Sequence, residues 1–179
     1  MSQPQELAAA NSRKPITRDI RPSAGEEELK SSKMKAELWE IVVGTRNGIL
    51  ATIGADGSPQ LSNIYYLADA STEVVRFSTT TIRAKGRNLL RGSQASIHVA
   101  GRDFFNFAVV TGPVSIAVPQ APDDAAVSKL FEIHQALGAS SETDGFGEQM
   151  LADHRMAVEL RVEHIYGQVL DRRVQPNES

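Results

Sequence analysis

Apolar and polar positions alternate along much of the chain, in short runs separated by turn-forming residues. The clearest case is GILATIGADGSPQLSNIYYLAD, in which two apolar-rich runs flank Asp56 and Gly57. Asp-Gly between such runs indicates a hairpin, because glycine adopts the positive φ that a tight turn requires. We therefore predict antiparallel strands over residues 48–53 and 59–67.

A third strand is predicted over residues 73–78, within STEVVRFSTT, and further strands in QASIHVA, FNFAVVTGPVSIAV and MAVELRVEHIYGQVL. A series of about six short strands with hairpin spacing is typical of a closed or nearly closed antiparallel barrel. The predicted fold class is therefore mainly β, with helices at its periphery.

Helical spacing of apolar residues occurs in three other segments. Met34, Leu38 and Ile41 predict an amphipathic helix from Lys33 to about Gly44, and PDDAAVSKLFEIHQALG and FGEQMLADHR predict two more. Residues 1–32 show no sustained apolar period and are predicted to be a flexible arm. Residues 33–170 would then form one domain, and residues 171–179 a C-terminal tail.

The stretch TTTIRAKGRNLLRG predicts a short helix over residues 82–91, capped by Thr80 or Thr81 and followed by Gly92 at the C′ position. On this helix Lys85 and Asn88 share a face that meets solvent or ligand, whereas Ile82 and Leu89 point elsewhere and are expected in the core.

Charge is distributed unevenly along the chain. The 179 residues carry a formal charge of −3, yet residues 74–102 contain six Arg or Lys and no Asp or Glu. Hydroxyls of Ser78 and the threonines precede the helix N-terminus, and Arg83 offers a planar fork for oxyanions, so a small phosphate-bearing ligand is one interpretation. A solvated cationic helix face with ordinary capping hydroxyls is the alternative.

Composition excludes several other classes of protein. A pI near 5.8 argues against general nucleic-acid binding, and the absence of cysteine excludes disulfides and thiolate metal sites. The apolar runs are far shorter than a membrane span, and the four histidines never form an H-x-x-x-H pair, so neither a membrane segment nor a metal is predicted. A cytoplasmic protein is the expectation.

The segment GILATIGADGSPQLSNIYYLAD, followed by VVRFSTTTIRAKGRNLLRGSQASIHV, resembles the split β-barrel superfamily that binds flavins and deazaflavins and includes pyridoxamine 5′-phosphate oxidase-like proteins. The order of LAT…DG.PQ.S and S….RAK.RNL…..AS is most similar to its coenzyme F420-dependent reductase branch. The resemblance covers roughly residues 38–167.

This resemblance implies a six-stranded antiparallel split barrel of the FMN-binding type, which forms a homodimer with two cofactor sites between the subunits. By this resemblance, the phosphate and polar tail of the cofactor match Arg83, Lys85 and Asn88, and the strand beside the tail and ring carries Gln60, Ser62 and Asn63. The ring system itself would lie beside Ser78 and Thr79. A further segment, which in the family brings an aromatic from the other subunit, matches Phe105, Asn106 and Phe107. Gln60, Ser62 and Asn63 could instead be outward residues of an edge strand. Phe104, Phe105 and Phe107 could instead be barrel core.

The function implied by the resemblance is transfer of a hydride from reduced F420 to a small conjugated organic substrate. An FMN-dependent oxidoreductase of the same fold and a non-catalytic flavin- or tetrapyrrole-binding protein are the alternatives. No catalytic residue is predicted, because the redox chemistry belongs to the cofactor. Tyr65 or Tyr66 could deliver a proton, but neighbouring strand residues face opposite ways, so at most one reaches a given pocket, and barrel packing is the alternative for either.

Overall fold

The structure, a computed structural model, describes residues 24–139 and 143–170. Within these ranges there are four helices, α1 (Ala24–Val43), α2 (Ala84–Arg91), α3 (Ala125–Ala136) and α4 (Phe146–Ala152), and eight strands, β1 (Asn47–Ile53), β2 (Pro59–Tyr65), β3 (Leu67–Asp69), β4 (Val74–Thr80), β5 (Gln94–Ala100), β6 (Phe107–Ala117), β7 (Arg155–Arg161) and β8 (His164–Gln168). The first helix begins before the predicted position, so residues 24–32 of the predicted arm are helical. The rest of that arm and the predicted tail lie outside the described residues.

The strands form one antiparallel sheet in the order β2-β1-β5-β6-β7-β4-β3, with β8 paired to β6. The long strand β6 changes partners along its length: its first half pairs with β5 and β8, and its last four residues pair with β7. The sheet therefore curls into a half-barrel, as expected for a split barrel, although it has eight strands where the resemblance implied six. The additional strands are short segments that pair at the edges.

The predicted hairpin is confirmed. β1 and β2 pair from Asn47↔Tyr65 to Ile53↔Pro59, and Gly57 takes a φ of +81° in the turn between them. The turn is closed by the Gly54 N–H, which donates to the carbonyl oxygen of Ser58 at 2.8 Å. Because the turn fixes the register, Gln60 and Ser62 face the barrel side of β2, and Leu61, Asn63 and Tyr65 face outward.

The main core fills the inside of the curled sheet, and α1 packs against it. Leu38, Trp39 and Val42 of α1 are buried with apolar residues of six strands. The Tyr66 hydroxyl donates to the carbonyl oxygen of Val42 at 2.8 Å, so the helix and the sheet share a buried hydrogen bond. A second apolar cluster lies where α3 and α4 cover the outer side of β7, around Leu130 and Ala157.

Helix α2 differs from its prediction in three respects. It begins at Ala84, and its N-cap is Arg83 with no side-chain capping bond, because Thr80 still belongs to β4 and the Thr81 N–H donates to His154. Ile82 is 59% exposed, so its predicted place in the core is wrong, whereas Leu89 is 2% exposed. Gly92 is the C-cap, with an ordinary extended backbone, and not a left-handed C′ residue.

Gly86 allows α2 to lie directly on the end of β4. A Cβ atom at this position would come within 1.9 Å of the Thr80 carbonyl oxygen. No side chain fits in that space, so the glycine sets the distance between the basic helix and the sheet.

Candidate functional site

A cleft of about 700 Å³ lies beside the end of β4 and receives residues from seven segments of the chain. Its polar lining consists of Asn47, Asn63, Tyr65, Ser78, Lys85, His98, His134 and Arg155. Its apolar lining consists of Gly48, Ile49, Ile64, Ala100, Leu137 and Ala139. Volumes of roughly 300–1,000 Å³ with apolar walls and a few polar groups are usual for small-molecule sites.

Lys85, in the first turn of α2, is anchored at the wall of this cleft. Its Nζ donates to the main-chain carbonyl oxygen of Asn63 at 2.9 Å. That carbonyl is available because β2 is an edge strand of the sheet and, among the described strands, pairs with β1 alone. Burial, followed by the positive charges of Arg83 and Arg155, lowers the pKa of Lys85.

The cleft is electrostatically positive. Lys85 and Arg155 both line it, and none of its described lining residues is Asp or Glu. Burial is the main cause of a lowered pKa of Arg155, which Asp153 opposes and Arg83 reinforces. Arg83 is therefore close enough to influence both cations, although it does not line the cleft itself. An anionic ligand would relieve this repulsion.

At the α3 side of the cleft, Arg155 contacts His134. The Arg155 Nη2 lies 3.0 Å from His134 Nε2, and Ser78 Oγ lies 3.4 Å from the same nitrogen. A guanidinium only donates, so Nε2 acts as the acceptor and the ring carries its proton on Nδ1. Burial and then the charge of Arg155 lower the pKa of His134, in agreement with a neutral imidazole.

Three of the predicted site residues that do not line the cleft form a polar network beneath α2. Asn88 is buried, and its Nδ2 donates to Thr52 Oγ1 at 3.0 Å. Gln60 accepts from Thr52 at 3.1 Å and donates to Ser62 Oγ at 2.6 Å. The predicted exposure of Asn88 to solvent is therefore wrong, because its side-chain amide pairs with the buried hydroxyl of Thr52, and its contact with a ligand stays a prediction. The network holds α2 against β1 and β2.

Ser78 and Thr79 are separated by the alternation of β4. Ser78 lines the cleft, whereas Thr79 is 3% exposed and faces the barrel interior. Only the main chain of Thr79 could border a ligand in the cleft.

The predicted aromatic segment spans the end of the loop before β6 and the first residue of that strand, Phe107. Phe104 and Phe105 are exposed and in edge-to-face contact, so the barrel-core alternative is wrong for both. The Asn106 N–H and side-chain amide donate to Asp103, which shapes the loop. Phe107 stacks on His98, whose ring lines the cleft, with ring centroids 5.5 Å apart.

The two tyrosines do face opposite ways. Tyr65 is 68% exposed and lines the cleft, whereas Tyr66 is fully buried against α1. Barrel packing is thus the structural role of Tyr66, and burial raises its pKa. Tyr65 remains the candidate proton donor.

Two negative findings concern the part of the chain that the structure describes. Within residues 24–139 and 143–170, no group of three or more His, Asp or Glu side chains is arranged to hold a metal ion. No helix within the same ranges has the length and apolar character needed to cross a membrane.

A family profile described as pyridoxamine 5′-phosphate oxidase matches residues 34–169, which is most of the chain. The chain belongs to this family. Its half-barrel sheet is the split-barrel fold of the pyridoxamine 5′-phosphate oxidase-like superfamily, and the matched residues include β1 to β8 and every residue of the cleft.

Three solved structures illustrate the likeness of this chain to others with the same fold. An F420 reductase is 23% identical, with 72% of this chain and 96% of the other covered and a TM-score of 0.54. A conserved hypothetical protein of Mycobacterium tuberculosis is 22% identical, with 73% and 81% covered and a TM-score of 0.55. The heme storage protein HutZ of Vibrio cholerae is 18% identical, with 78% and 93% covered and a TM-score of 0.51. At these identities the likeness concerns the fold.

The structure thus brings Asn63, Ser78 and Lys85 together in one cleft and adds His134 and Arg155, which the sequence did not single out. His134 follows the apolar spacing of α3, and Arg155 is the first residue of β7, ahead of the apolar run Met156, Ala157 and Val158. Neither belongs to a local motif. Their approach depends on how α3 packs across β7, which no short-range pattern shows.

Proposed function

We propose that this member of the pyridoxamine 5′-phosphate oxidase family is an F420H2-dependent oxidoreductase that reduces a small conjugated organic substrate. The observation that carries the proposal is the positive cleft, in which Lys85 is fixed at the wall and apolar surfaces lie beside it. A cofactor that carries both a phosphate and an aromatic ring system matches this cleft, because the phosphate can pair with the cation and the ring can contact the apolar surfaces.

The residues present fit such a cofactor. Lys85 and Arg83, at the start of α2, are suited to its phosphate, and Arg provides the bidentate geometry that phosphate oxygens favour. Ile49 offers an apolar contact surface and Tyr65 a flat ring, and the main chain at Ser78 and Thr79 runs past the cleft. When bound, reduced F420 would supply the hydride, while the protein provides orientation and shelter from water.

The polar network beneath α2 would support binding indirectly. In this network Gln60 donates to Ser62, and Asn88 donates to Thr52, which is also bonded to Gln60. Arg91 Nη2 donates to Asn88 Oδ1 at 2.5 Å. Because this network ties α2 to the hairpin, it fixes the position of Lys85. In this proposal these three residues position the phosphate site, and Asn63 supplies its carbonyl to Lys85.

The proposal includes a homodimer. The outer face of β1, β2 and β8 exposes large apolar side chains that continue from the cleft, namely Ile49, Ile53, Leu61, Tyr65 and Tyr166. Exposed apolar surface of this kind is typical of an interface. The exposed Phe104 and Phe105, on the loop between β5 and β6, are the aromatics that would reach a partner's cleft.

Titration of the purified protein with F420 and separately with FMN, followed by fluorescence, tests the cofactor assignment. The proposal expects saturable F420 binding well below millimolar concentration. Clear FMN binding without F420 binding would overturn it in favour of a flavin-dependent enzyme of the same fold. Binding of flavin or tetrapyrrole without substrate reduction by any reduced cofactor would identify a binding protein.

A further inference from the structure

We propose that Arg155 forms a second anion subsite in the cleft, which binds a carboxylate of the substrate, and that His134 is the residue that positions it. The inference rests on the proposed function in one respect: it requires the cofactor ring to lie beside Ser78. The substrate class that it names is a planar conjugated compound that carries a carboxylate.

Arg155 shares the cleft with the proposed phosphate site but belongs to a different element of the fold. Lys85 and Arg83 belong to the start of α2, whereas Arg155 opens β7 and lies opposite Thr80 in the sheet. Its guanidinium is directed to His134 on α3, and the nitrogen that it contacts is 3.4 Å from Ser78 Oγ. A substrate stacked on a ring beside Ser78 would therefore meet Arg155.

The guanidinium retains binding capacity. It uses Nη2 for His134, and among the described residues no carboxylate lies within ion-pair distance of it. Asp153 influences Arg155 only at longer range. Arginine carries five N–H donors in a planar fork, which matches the two oxygens of a carboxylate.

His134 restricts the orientation of that fork. The imidazole accepts from Arg155 through Nε2 and packs edge-to-face on Phe146, with ring centroids 5.6 Å apart. Arg46 Nη1 donates to the carbonyl oxygen of Ala136 at 2.6 Å, which ties the end of α3 to the start of β1. The His134 imidazole is thus held in place by its own helix α3, by Phe146 of α4 and, through the end of α3, by Arg46. Because this imidazole already restricts the Arg155 guanidinium, the guanidinium loses less conformational freedom when a ligand binds.

The apolar side of the cleft indicates the rest of the ligand. Ile49, Tyr65 and Leu137 line the same space as Arg155, so a flat unsaturated body with one acidic group satisfies both surfaces. A purely apolar ligand would leave the charge of Arg155 without a counterion inside the cleft.

The test compares 2-naphthoate with the uncharged 2-naphthamide by calorimetry, using the full chain both without cofactor and saturated with F420. Wild-type protein should prefer the carboxylate by about tenfold or more. Arg155→Gln should abolish the preference and lower F420 affinity far less than Lys85→Ala does, whereas Lys85→Ala should lower F420 affinity and keep the preference. Arg161→Gln, on an exposed residue of the same strand, is the matched control for folding.

The positioning role of His134 is tested with one variant that keeps a hydrogen-bond acceptor and one that removes it. Gln offers an amide oxygen that can accept from Arg155, so His134→Gln should keep most of the preference, and His134→Leu should reduce it. Equal binding of the two naphthalene probes to wild-type protein would overturn the subsite. So would an Arg155→Gln variant that loses F420 affinity and keeps the preference, because Arg155 would then belong to the cofactor site. If F420 fails to bind but the preference depends on Arg155, the subsite stands and the proposed cofactor does not.

Discussion

Lys85 Nζ donates to the main-chain carbonyl oxygen of Asn63 at 2.9 Å, which joins the basic helix α2 to the edge strand β2. The bond fixes a cationic group at the wall of a cleft whose described lining has no carboxylate. The position of this ammonium depends on the hairpin register, on the glycine beneath α2 and on the network around Asn88. Each of these three structural features can be altered by a separate substitution.

Replacement of Lys85 by Ala should weaken F420 binding. The loss of a charge-assisted contact costs about 1.5–3 kcal/mol, which corresponds to a roughly 10- to 150-fold higher Kd. Fluorescence titration measures the change. Lys129→Ala is a matched control, because Lys129 lines a different cleft beside Arg76 and Glu132. Equal affinities of wild type and Lys85→Ala would mean that α2 presents a solvated cationic face.

Replacement of Gly86 by Ala should destabilise the protein and also weaken cofactor binding. The added methyl group would meet the Thr80 carbonyl oxygen, so α2 must move away from β4 and carry Lys85 with it. Overpacking of this kind costs about 1–3 kcal/mol, which outweighs the gain of up to about 1 kcal/mol that alanine brings to a helix. Urea denaturation and F420 titration measure both effects.

The control for this substitution is Gly92→Ala. Gly92 has a φ of −103°, and a Cβ there would be 3.4 Å from the Asn88 carbonyl oxygen, so it should be tolerated. If Gly86→Ala were as stable as Gly92→Ala, the close approach of α2 to β4 would not limit the fold.

Acidification should reduce stability through His134. Its pKa is lowered in the folded protein, by burial first and then by Arg155, so the folded state binds the proton less readily than the unfolded chain. Stability from this source is present above the unfolded pKa of about 6.5 and is lost as the pH falls toward the folded pKa. The groups that face the imidazole are Arg155 of β7, Ser78 of β4 and Phe146 of α4.

Thermal denaturation of wild type and His134→Gln between about pH 7.5 and pH 5 measures this effect. The wild type should lose more of its Tm across that interval, because Gln does not titrate. The lowered pKa values of Asp56, Asp69 and Asp124 act at more acidic pH and are common to both proteins. Parallel Tm curves for the two proteins would show that His134 contributes nothing to the pH dependence.

Replacement of Leu61 by Asp should dissociate the proposed dimer. Leu61 is 66% exposed on the outer face of β2, and a carboxylate there would have to be desolvated at an apolar interface. Sedimentation velocity should show a dimer for the wild type and a monomer for the variant. Leu29→Asp, at a 72% exposed position on α1, is the control. A monomeric wild type would contradict the dimer proposal.

The sequence predicted those features of the fold that depend on short-range patterns. Alternation and the Asp56-Gly57 turn located the first hairpin, because the period of two and the positive φ of Gly57 are local properties. Helix boundaries were less accurate. Ile82 was expected in the core by helical spacing, but α2 begins two residues later and leaves it exposed.

The candidate site could be predicted only in part, for a physical reason. Lys85 and Ser78 lie in a basic, hydroxyl-rich stretch that is visible in the sequence, whereas His134 and Arg155 reach the cleft through the packing of α3 on β7. The alternation of β2 and β4 also divides residues that are neighbours in the chain. Asn63 and Ser78 face the cleft, while Ser62 and Thr79 face the barrel.

A crystal structure of the protein with F420 bound would locate the cofactor directly. We predict the phosphate within hydrogen-bond distance of Lys85 Nζ and the Arg83 guanidinium, and the ring system beside Ser78 in the cleft lined by Ile49 and Tyr65. A cofactor located elsewhere on the sheet, or one whose phosphate makes no contact with Lys85 and Arg83, would contradict it.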